Sequence, residues 1–187
     1  MTDISPHEEP SPANRNGRLN VARITKAHHT GFTVASLDKS LAFYRDLLGF
    51  EVVFQWNPQA PYIGELLGYP DVDLHAVILR LPNSDVFLEL LEYRGIPKKT
   101  VEMANGNIGN AHIAFTVDEL DPLYERLTAS GVRTVSPPVT PTIGPNRGGR
   151  AVYAIDPDGF RIELIQAPRG FEDYKPEQDA PAKPASG

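Results

Sequence analysis

Two histidines and two glutamates recur at matching positions of this sequence. The segment HTGFTV at residues 29–34 returns as HIAFTV at residues 112–117, so that His29 corresponds to His112. Glu89 lies in the segment FLELL, and Glu163 lies in the similar segment RIELI. Two imidazoles and two carboxylates form a mixed nitrogen and oxygen ligand set, which suits Zn, Ni, Co, Mn or Fe(II). The pattern therefore predicts one divalent metal ion bound by His29, Glu89, His112 and Glu163.

Strand geometry selects these four residues from their neighbours. Because side chains alternate between the two faces of a strand, His28 and His29 cannot both face the interior. The repeat selects His29, since it aligns with His112, which follows Ala111. Each glutamate is predicted on an apolar strand face, where a carboxylate is costly unless it is paired or binds a metal. Any one of these residues alone fits a structural role, but four at duplicated positions favour a common site.

The elements that must position these residues are duplicated as well. Each half reads as a strand, an amphipathic helix and three further strands. Asp38 and Asp121 are predicted as helix caps, and Gly49 and Gly131 as helix stops. The later strands are predicted at 50–55, 74–81, 86–93, 133–135, 151–155 and 161–166. The predicted fold class is α+β, with two tandem βαβββ modules that form a curved mixed sheet around the metal site.

Four segments are predicted along the chain. Residues 1–22 are polar and Pro-rich and predict a disordered tail, and residues 168–187 predict a second, Pro-rich tail. Residues 23–97 form the first predicted module and residues 98–167 the second. The first module carries an additional stretch at residues 57–73, in which a short helix could cover a site.

The overall composition narrows the range of partners. The formal net charge of −6 and the lack of a Lys/Arg cluster argue against nucleic acid. No apolar run approaches the roughly 20 residues of a membrane span, and the N-terminus lacks the pattern of a secretory signal. The sequence has no cysteine, which excludes disulfides and thiolate ligands. We therefore expect a cytoplasmic protein that acts on a small molecule and binds neither nucleic acid nor a membrane.

The sequence resembles the vicinal oxygen chelate superfamily, which includes glyoxalase I, methylmalonyl-CoA epimerase, fosfomycin resistance enzymes and extradiol dioxygenases. The resemblance covers residues 24–167. The motifs that carry it are HHTGFTVASLDKSLAFYRDLLGF, FLELLEY, AHIAFTVDELD and YAIDPDGFRIELI. It implies metal ligands at His29, Glu89, His112 and Glu163, a set similar to that of bacterial glyoxalase I. Since family members close the site either within one chain or across a dimer, both arrangements stay open, and a homodimer is expected.

The resemblance implies a metal-dependent lyase, isomerase or epimerase that moves a proton next to a carbonyl. Glu163 or Glu89 would act as the base, and Tyr153 would orient or protonate the substrate. Thr33 stands where glyoxalase I carries a basic residue for glutathione, so glutathione is not the expected co-substrate. Further substrate contacts are expected from three aromatic residues and two arginines of a Gly-rich loop. These residues are Trp56, Tyr62, Tyr93, Arg147 and Arg150.

Two alternative functions follow from the same resemblance. An extradiol-type non-haem Fe(II) ring-cleaving dioxygenase is suggested by residues 152–159 followed by Glu163, but Gly144, Pro145 and Asn146 occupy the stretch where its catalytic histidine would stand. His75 could substitute for it, although a structural role at the rim is the more natural one. A metal-free drug-binding protein, similar to bleomycin resistance proteins, is the second alternative. Those proteins usually lack the four ligands.

Overall fold

The computed structural model describes residues 22–168 together with residues 170, 173 and 175, and it contains two four-stranded sheets. The elements in chain order are β1 (Thr30–Thr33), α1 (Leu37–Leu41), a π-helical segment (Ala42–Leu47), β2 (Glu51–Trp56), α2 (Pro61–Leu67), β3 (Asp73–Arg80), β4 (Phe87–Arg94), β5 (His112–Thr116), α3 (Leu120–Ala129), β6 (Arg133–Thr134), β7 (Arg150–Ile155) and β8 (Arg161–Gln166). Within this described part, no helix has the length and apolar character needed to cross a membrane.

The two sheets repeat one topology. The strand order is β1-β4-β3-β2 in the first sheet and β5-β8-β7-β6 in the second. The first and last strands of each half pair in parallel, and the remaining pairs are antiparallel. The predicted α+β fold of two βαβββ modules is confirmed, and its eight strands form two sheets. Because the last strand of each half lies beside the first, the histidine and glutamate of that half come close together.

The predicted tails lie almost wholly outside the described residues. Of the segment 1–22 the structure describes residue 22, and of the segment 168–187 it describes residues 168, 170, 173 and 175. The predicted module boundaries stay predictions.

A shared core joins the two halves. The Phe50 and Phe115 rings lie 5.4 Å apart between centroids, and the Phe32 and Phe160 rings 4.5 Å apart. Each pair takes one ring from each half. The buried side chains that pack together in this core are Phe32, Val34, Leu37, Leu41, Phe43, Tyr44, Phe50, Val77, Leu79, Leu88, Leu90, Phe115, Leu120, Leu127, Val152, Ala154, Ile162 and Leu164. One face of each sheet is thus covered by helices and by the other half.

The helix starts differ from the prediction. The N-cap of α1 is Ser36 and that of α3 is Glu119, so Asp38 and Asp121 each lie in the first helical turn and are not the caps. The predicted caps were therefore wrong by two residues. Both aspartates are still placed where a negative charge interacts favourably with the positive end of the helix dipole.

The helix stops at Gly49 and Gly131 agree with the prediction. Their φ angles are +80° and +82°, a left-handed conformation that glycine adopts without steric cost.

Candidate metal centre

The first histidine and glutamate form a close pair at the edge of the first sheet. His29 immediately precedes β1, and Glu89 lies on β4 opposite Gly31. The Nε2 atom of His29 and the Oε2 atom of Glu89 are 3.1 Å apart. The side chains are 34% and 16% exposed, respectively, so the glutamate is largely shielded while the imidazole faces a more open surface.

The second pair repeats this arrangement in the second sheet. His112 begins β5, and Glu163 lies on β8 opposite Ala114. The Nε2 atom of His112 and the Oε2 atom of Glu163 are 3.2 Å apart, and the side chains are 51% and 19% exposed. Equivalent residues of the duplicated halves thus form equivalent His–Glu pairs.

Tyr153 supports the second pair. It lies directly across from Glu163 on β7, and its hydroxyl interacts with the Glu163 carboxylate. Burial raises the pKa of Tyr153, and the nearby Glu163 carboxylate raises it further. The phenol therefore stays protonated at neutral pH and can donate its proton to the carboxylate in a hydrogen bond. The His112 and Tyr153 rings also meet edge to face, with centroids 5.4 Å apart.

The structure does not bring all four predicted ligands together in one chain. Among residues 22–168 and the few described beyond them, no three His, Asp or Glu side chains form a group that could hold a metal ion. Both pairs lie on the sheet faces opposite the shared core, since their neighbours in sequence on β4 and β8, Leu88, Leu90, Ile162 and Leu164, are the core residues. Each chain therefore presents two separate His–Glu pairs.

His28, which strand alternation excluded from the predicted site, contacts the first pair. The Nδ1 atom of His28 lies 2.7 Å from the Nδ1 atom of His29, a hydrogen bond in which one ring carries the proton. This hydrogen bond involves Nδ1 of His29, the ring nitrogen that does not contact Glu89. Strict alternation had assigned His28 to the other face, but both residues precede β1, where no strand geometry holds them. The adjacent histidines in the sequence were the available signal.

Two of the three predicted aromatic contacts share the face of Glu89. Trp56 pairs with Ala76, which in turn pairs with Leu91, two residues from Glu89. Tyr93 lies two residues further along β4 on the same face.

Burial raises the pKa of Tyr93, and the nearby charge of Glu89 raises it further. Tyr62 lies on α2 and is 56% exposed. Within the described residues, no hydrogen bond or ring contact links Tyr62 to either His–Glu pair.

The two predicted arginines occupy different elements, a loop and a strand. Arg147 is exposed in the loop that precedes β7. Arg150 pairs across strands with Gln166, and its Nη2 atom donates to Asp121 on α3 at 2.7 Å. Because residue 166 is three positions from Glu163, Arg150 lies on the opposite face of the sheet, where it connects strand and helix. Its placement does not support the predicted substrate contact.

His75 lies away from both pairs. It pairs across strands with Glu92, which lies on the opposite face of β4 from Glu89. Its Nε2 atom is 3.2 Å from a carboxylate oxygen of Asp73 and 3.2 Å from the side-chain amide of Asn57. These contacts are those of a rim residue.

Comparison with known proteins agrees with the fold. A family model described as Glyoxalase/Bleomycin resistance protein/Dioxygenase superfamily matches residues 26–164. A 2-epi-5-epi-valiolone epimerase from Actinomyces sp. is 35% identical over 150 residues, which cover 76% of this chain and 80% of that protein. A lactoylglutathione lyase from Haemophilus influenzae is 36% identical over 141 residues, covering 74% of this chain and 90% of that protein.

A solved structure supports the same fold. The glyoxalase family protein from Bacillus cereus superimposes with a TM-score of 0.70 at 19% identity, covering 80% of this chain and 98% of that one.

Proposed function

The chain belongs to the glyoxalase/bleomycin resistance protein/dioxygenase superfamily, and we propose that it is a divalent-metal-dependent lyase, isomerase or epimerase that moves a proton next to a carbonyl group of a small oxygenated substrate. Its relatives include both a lyase and an epimerase, which supports an enzyme of this general type. The observation that carries the proposal is the presence of two equivalent His–Glu pairs, with nitrogen-to-oxygen distances of 3.1 and 3.2 Å.

The geometry of each pair fits two neighbouring ligands of one metal ion. Ligands at about 2.1 Å from a metal and at right angles to each other are about 3.0 Å apart. The observed separations of 3.1 and 3.2 Å are close to this value. Imidazole nitrogen and carboxylate oxygen are also the donors that Zn, Ni, Co, Mn and Fe(II) accept. A metal-bound His29 would donate its Nδ1–H to His28, and this hydrogen bond would orient its ring, as second partners of metal-bound histidines commonly do.

We propose that a homodimer completes the site. One pair supplies two ligands, and the second pair of the same chain lies in the other sheet. In a two-fold symmetric dimer, the first sheet of one chain can face the second sheet of its partner. His29 and Glu89 of one chain would then meet His112 and Glu163 of the partner subunit, and two identical sites would form. The open, half-exposed surfaces around both pairs are consistent with an interface of this kind.

The side chains of this site can perform the proposed proton transfer. A bound metal ion would act as a Lewis acid that polarises the substrate carbonyl and makes the adjacent C–H more acidic. Glu89 or Glu163 would take that proton and return it to the same carbon or to its neighbour. The hydroxyl of Tyr153 would hold the Glu163 carboxylate in position. Trp56 and Tyr93, on the face of Glu89, would exclude water from the reacting group.

The proposal is tested by metal analysis combined with hydrogen exchange. Protein stripped with a chelator and reloaded with Zn, Ni, Co or Mn should bind about one ion per chain. In heavy water, the loaded protein should exchange the C–H next to the carbonyl of 2-epi-5-epi-valiolone, which NMR detects. Glu163→Gln should slow this exchange by about 10²- to 10⁴-fold, the usual effect of a lost general base.

The matched control is Glu125→Gln, which removes the same charge from an exposed position on α3. This variant should retain both metal and activity. Wild-type protein that binds no metal under these conditions would contradict the proposal. Strict iron dependence with oxygen consumption on catechols would instead indicate a dioxygenase.

A further inference from the structure

A cavity of about 460 Å³ lies beside the first sheet, where β1 and β4 end and the connection to the second half begins. This volume is within the range of small-molecule sites in proteins, about 300–1,000 Å³. Its walls combine aromatic rings with aliphatic side chains. The apolar and aromatic lining consists of Val34, Tyr69, Tyr93, Ile96, Val101, Met103 and Phe160.

The two tyrosines provide a rigid wall. Their rings meet edge to face with centroids 6.1 Å apart. Aromatic walls of this kind favour flat apolar ligands, because ring contacts add to the stabilisation from area burial. The cavity is therefore suited to a ligand with a planar or apolar body.

Two lysines add positive charge to this apolar lining. Lys98 and Lys99 lie next to each other at the rim, and both are exposed. Among the described residues, neither ammonium group lies within 4.0 Å of a carboxylate, although Lys98 interacts at longer range with Glu92. Asp158 also lines the cavity, but its carboxylate accepts the backbone N–H of Ala35 at 3.1 Å. The two ammonium groups are thus available to an anion.

The cavity adjoins the face that carries the first His–Glu pair. Thr33 and Tyr93 line it and share the face of Glu89. Tyr93 lies four positions after Glu89, which corresponds to about 13 Å along a strand. A ligand held in the cavity would therefore lie next to the His29–Glu89 pair without occupying it.

We propose that this cavity binds the anionic end of a small molecule that also has a flat apolar portion, with Lys98 and Lys99 pairing with a carboxylate, sulfonate or phosphate. The charge of the lysines selects for anions, and the aromatic wall contacts the apolar portion of the ligand. The cavity uses none of the four predicted ligands, although it shares Tyr93 with the proposed active site.

A matched pair of fluorescent probes tests the proposal on metal-stripped protein. 8-Anilinonaphthalene-1-sulfonate has an aromatic body and one sulfonate, and N-phenyl-1-naphthylamine has the same body without the charge. We expect the sulfonate probe to bind with one site per chain. Lys98→Gln/Lys99→Gln should weaken its binding about three- to tenfold, as expected for two exposed ion pairs, and should leave the neutral probe unaffected. Tyr69→Ala should weaken both probes.

The control variant is Lys39→Gln/Lys175→Gln, which removes two positive charges elsewhere on the exposed surface. It should bind both probes as the wild type does. Equal loss of sulfonate binding in the control would show a general charge effect and would overturn the proposal. Undiminished sulfonate binding in Lys98→Gln/Lys99→Gln, or no binding to the wild type, would overturn it as well. Metal loading and the proton-exchange assay are separate measurements, so this result and the proposed function can fail independently.

Discussion

At the scale of residues, the two His–Glu pairs have similar nitrogen-to-oxygen distances but differ in the residue that lies across from the glutamate. Glu163 lies across from Tyr153, whose hydroxyl can donate a hydrogen bond to it, whereas Glu89 lies across from Ile78, which has no donor. A carboxylate fixed by a hydrogen bond stays in place while charge develops near it, which is how preorganised sites lower the cost of reaction. In the proposed reaction, Tyr153 would therefore position Glu163.

Replacing Tyr153 with phenylalanine should separate positioning from metal binding. We expect Tyr153→Phe to lower kcat about tenfold or more with little change in metal content, because all four predicted ligands remain. Tyr124→Phe, on α3, is the matched control and should match the wild type. An unchanged kcat in Tyr153→Phe would show that the tyrosine is only part of the sheet.

A second residue-scale prediction concerns the buried carboxyl of Asp156. This side chain is 2% exposed and accepts a hydrogen bond of 2.9 Å from the Tyr44 hydroxyl of the other half. Burial raises its pKa, although the Tyr44 hydroxyl and the backbone N–H groups of Phe160 and Asp158 act in the opposite direction. The folded protein therefore holds this proton more tightly than the unfolded chain does.

The sign of the resulting pH dependence follows from that difference. The contribution of Asp156 to the free energy of unfolding is fully present below the ordinary carboxyl pKa and is lost as the pH rises through the raised pKa of the folded state. Asp156→Asn keeps acceptors and a donor at the same place but cannot ionise. Its stability relative to the wild type should therefore increase with pH across that window, as measured by urea unfolding. Asp85→Asn, in an exposed turn, controls for the loss of one carboxylate. A constant difference between Asp156→Asn and the wild type would contradict the raised pKa.

At the scale of elements, each helix start is held by a side chain from the last strand of its own half. Glu92 accepts the backbone N–H of Leu37 at 3.0 Å, and Gln166 accepts that of Leu120 at 2.9 Å. These contacts satisfy N–H groups that have no partner within the helix. The same hydrogen bond occurs in both halves, from a residue three positions after the glutamate of each pair. It connects each helix to the strand that carries that glutamate.

Removing this cap should cost stability. We expect Glu92→Ala to lower the free energy of unfolding by about 0.5–2 kcal/mol, the usual effect of losing a helix cap. Glu92→Gln should retain most of the stability, because its amide oxygen can still accept the N–H while the ion pair with Arg94 is lost in both variants. Urea unfolding compares the two. Equal losses in both variants would indicate that the ion pair, and not the cap, is the stabilising contact.

The sequence predicts these elements well wherever the signal is local. The strand predicted at 161–166 is found at Arg161–Gln166, and that predicted at 86–93 is found at Phe87–Arg94. The π-helical segment was not predicted, because an apolar stripe has similar spacing in either helix type. The contacts of Glu92 and Gln166 with the helix starts were not predicted either, since these residues lie 55 and 46 positions from the residues whose N–H groups donate to them. Contacts this distant leave no local pattern.

At the scale of the whole molecule, the core and the candidate site lie on opposite faces of the sheets. Ring contacts such as Phe50 with Phe115 join the two halves on the helix side, while the His–Glu pairs lie on the other side. The repeat was sufficient to predict which histidine and glutamate belong to each pair. It could not predict how the two sheets are oriented, because duplicated modules can meet through either face. The separation of the four predicted ligands into two His–Glu pairs thus required the structure.

Complementation between inactive chains tests the proposed dimer. One chain carries His29→Ala and Glu89→Gln, and the other carries His112→Ala and Glu163→Gln. If the site forms between subunits, one site of the mixed dimer contains all four altered residues and the other contains all four native ones. The mixed dimer, isolated with two different affinity tags, should then recover about half of the wild-type metal content and activity, whereas neither parent should have either. The control dimer combines His29→Ala on one chain with Glu89→Gln on the other, which leaves every site one ligand short. A mixed dimer as inactive as its parents would mean that each chain completes its own site.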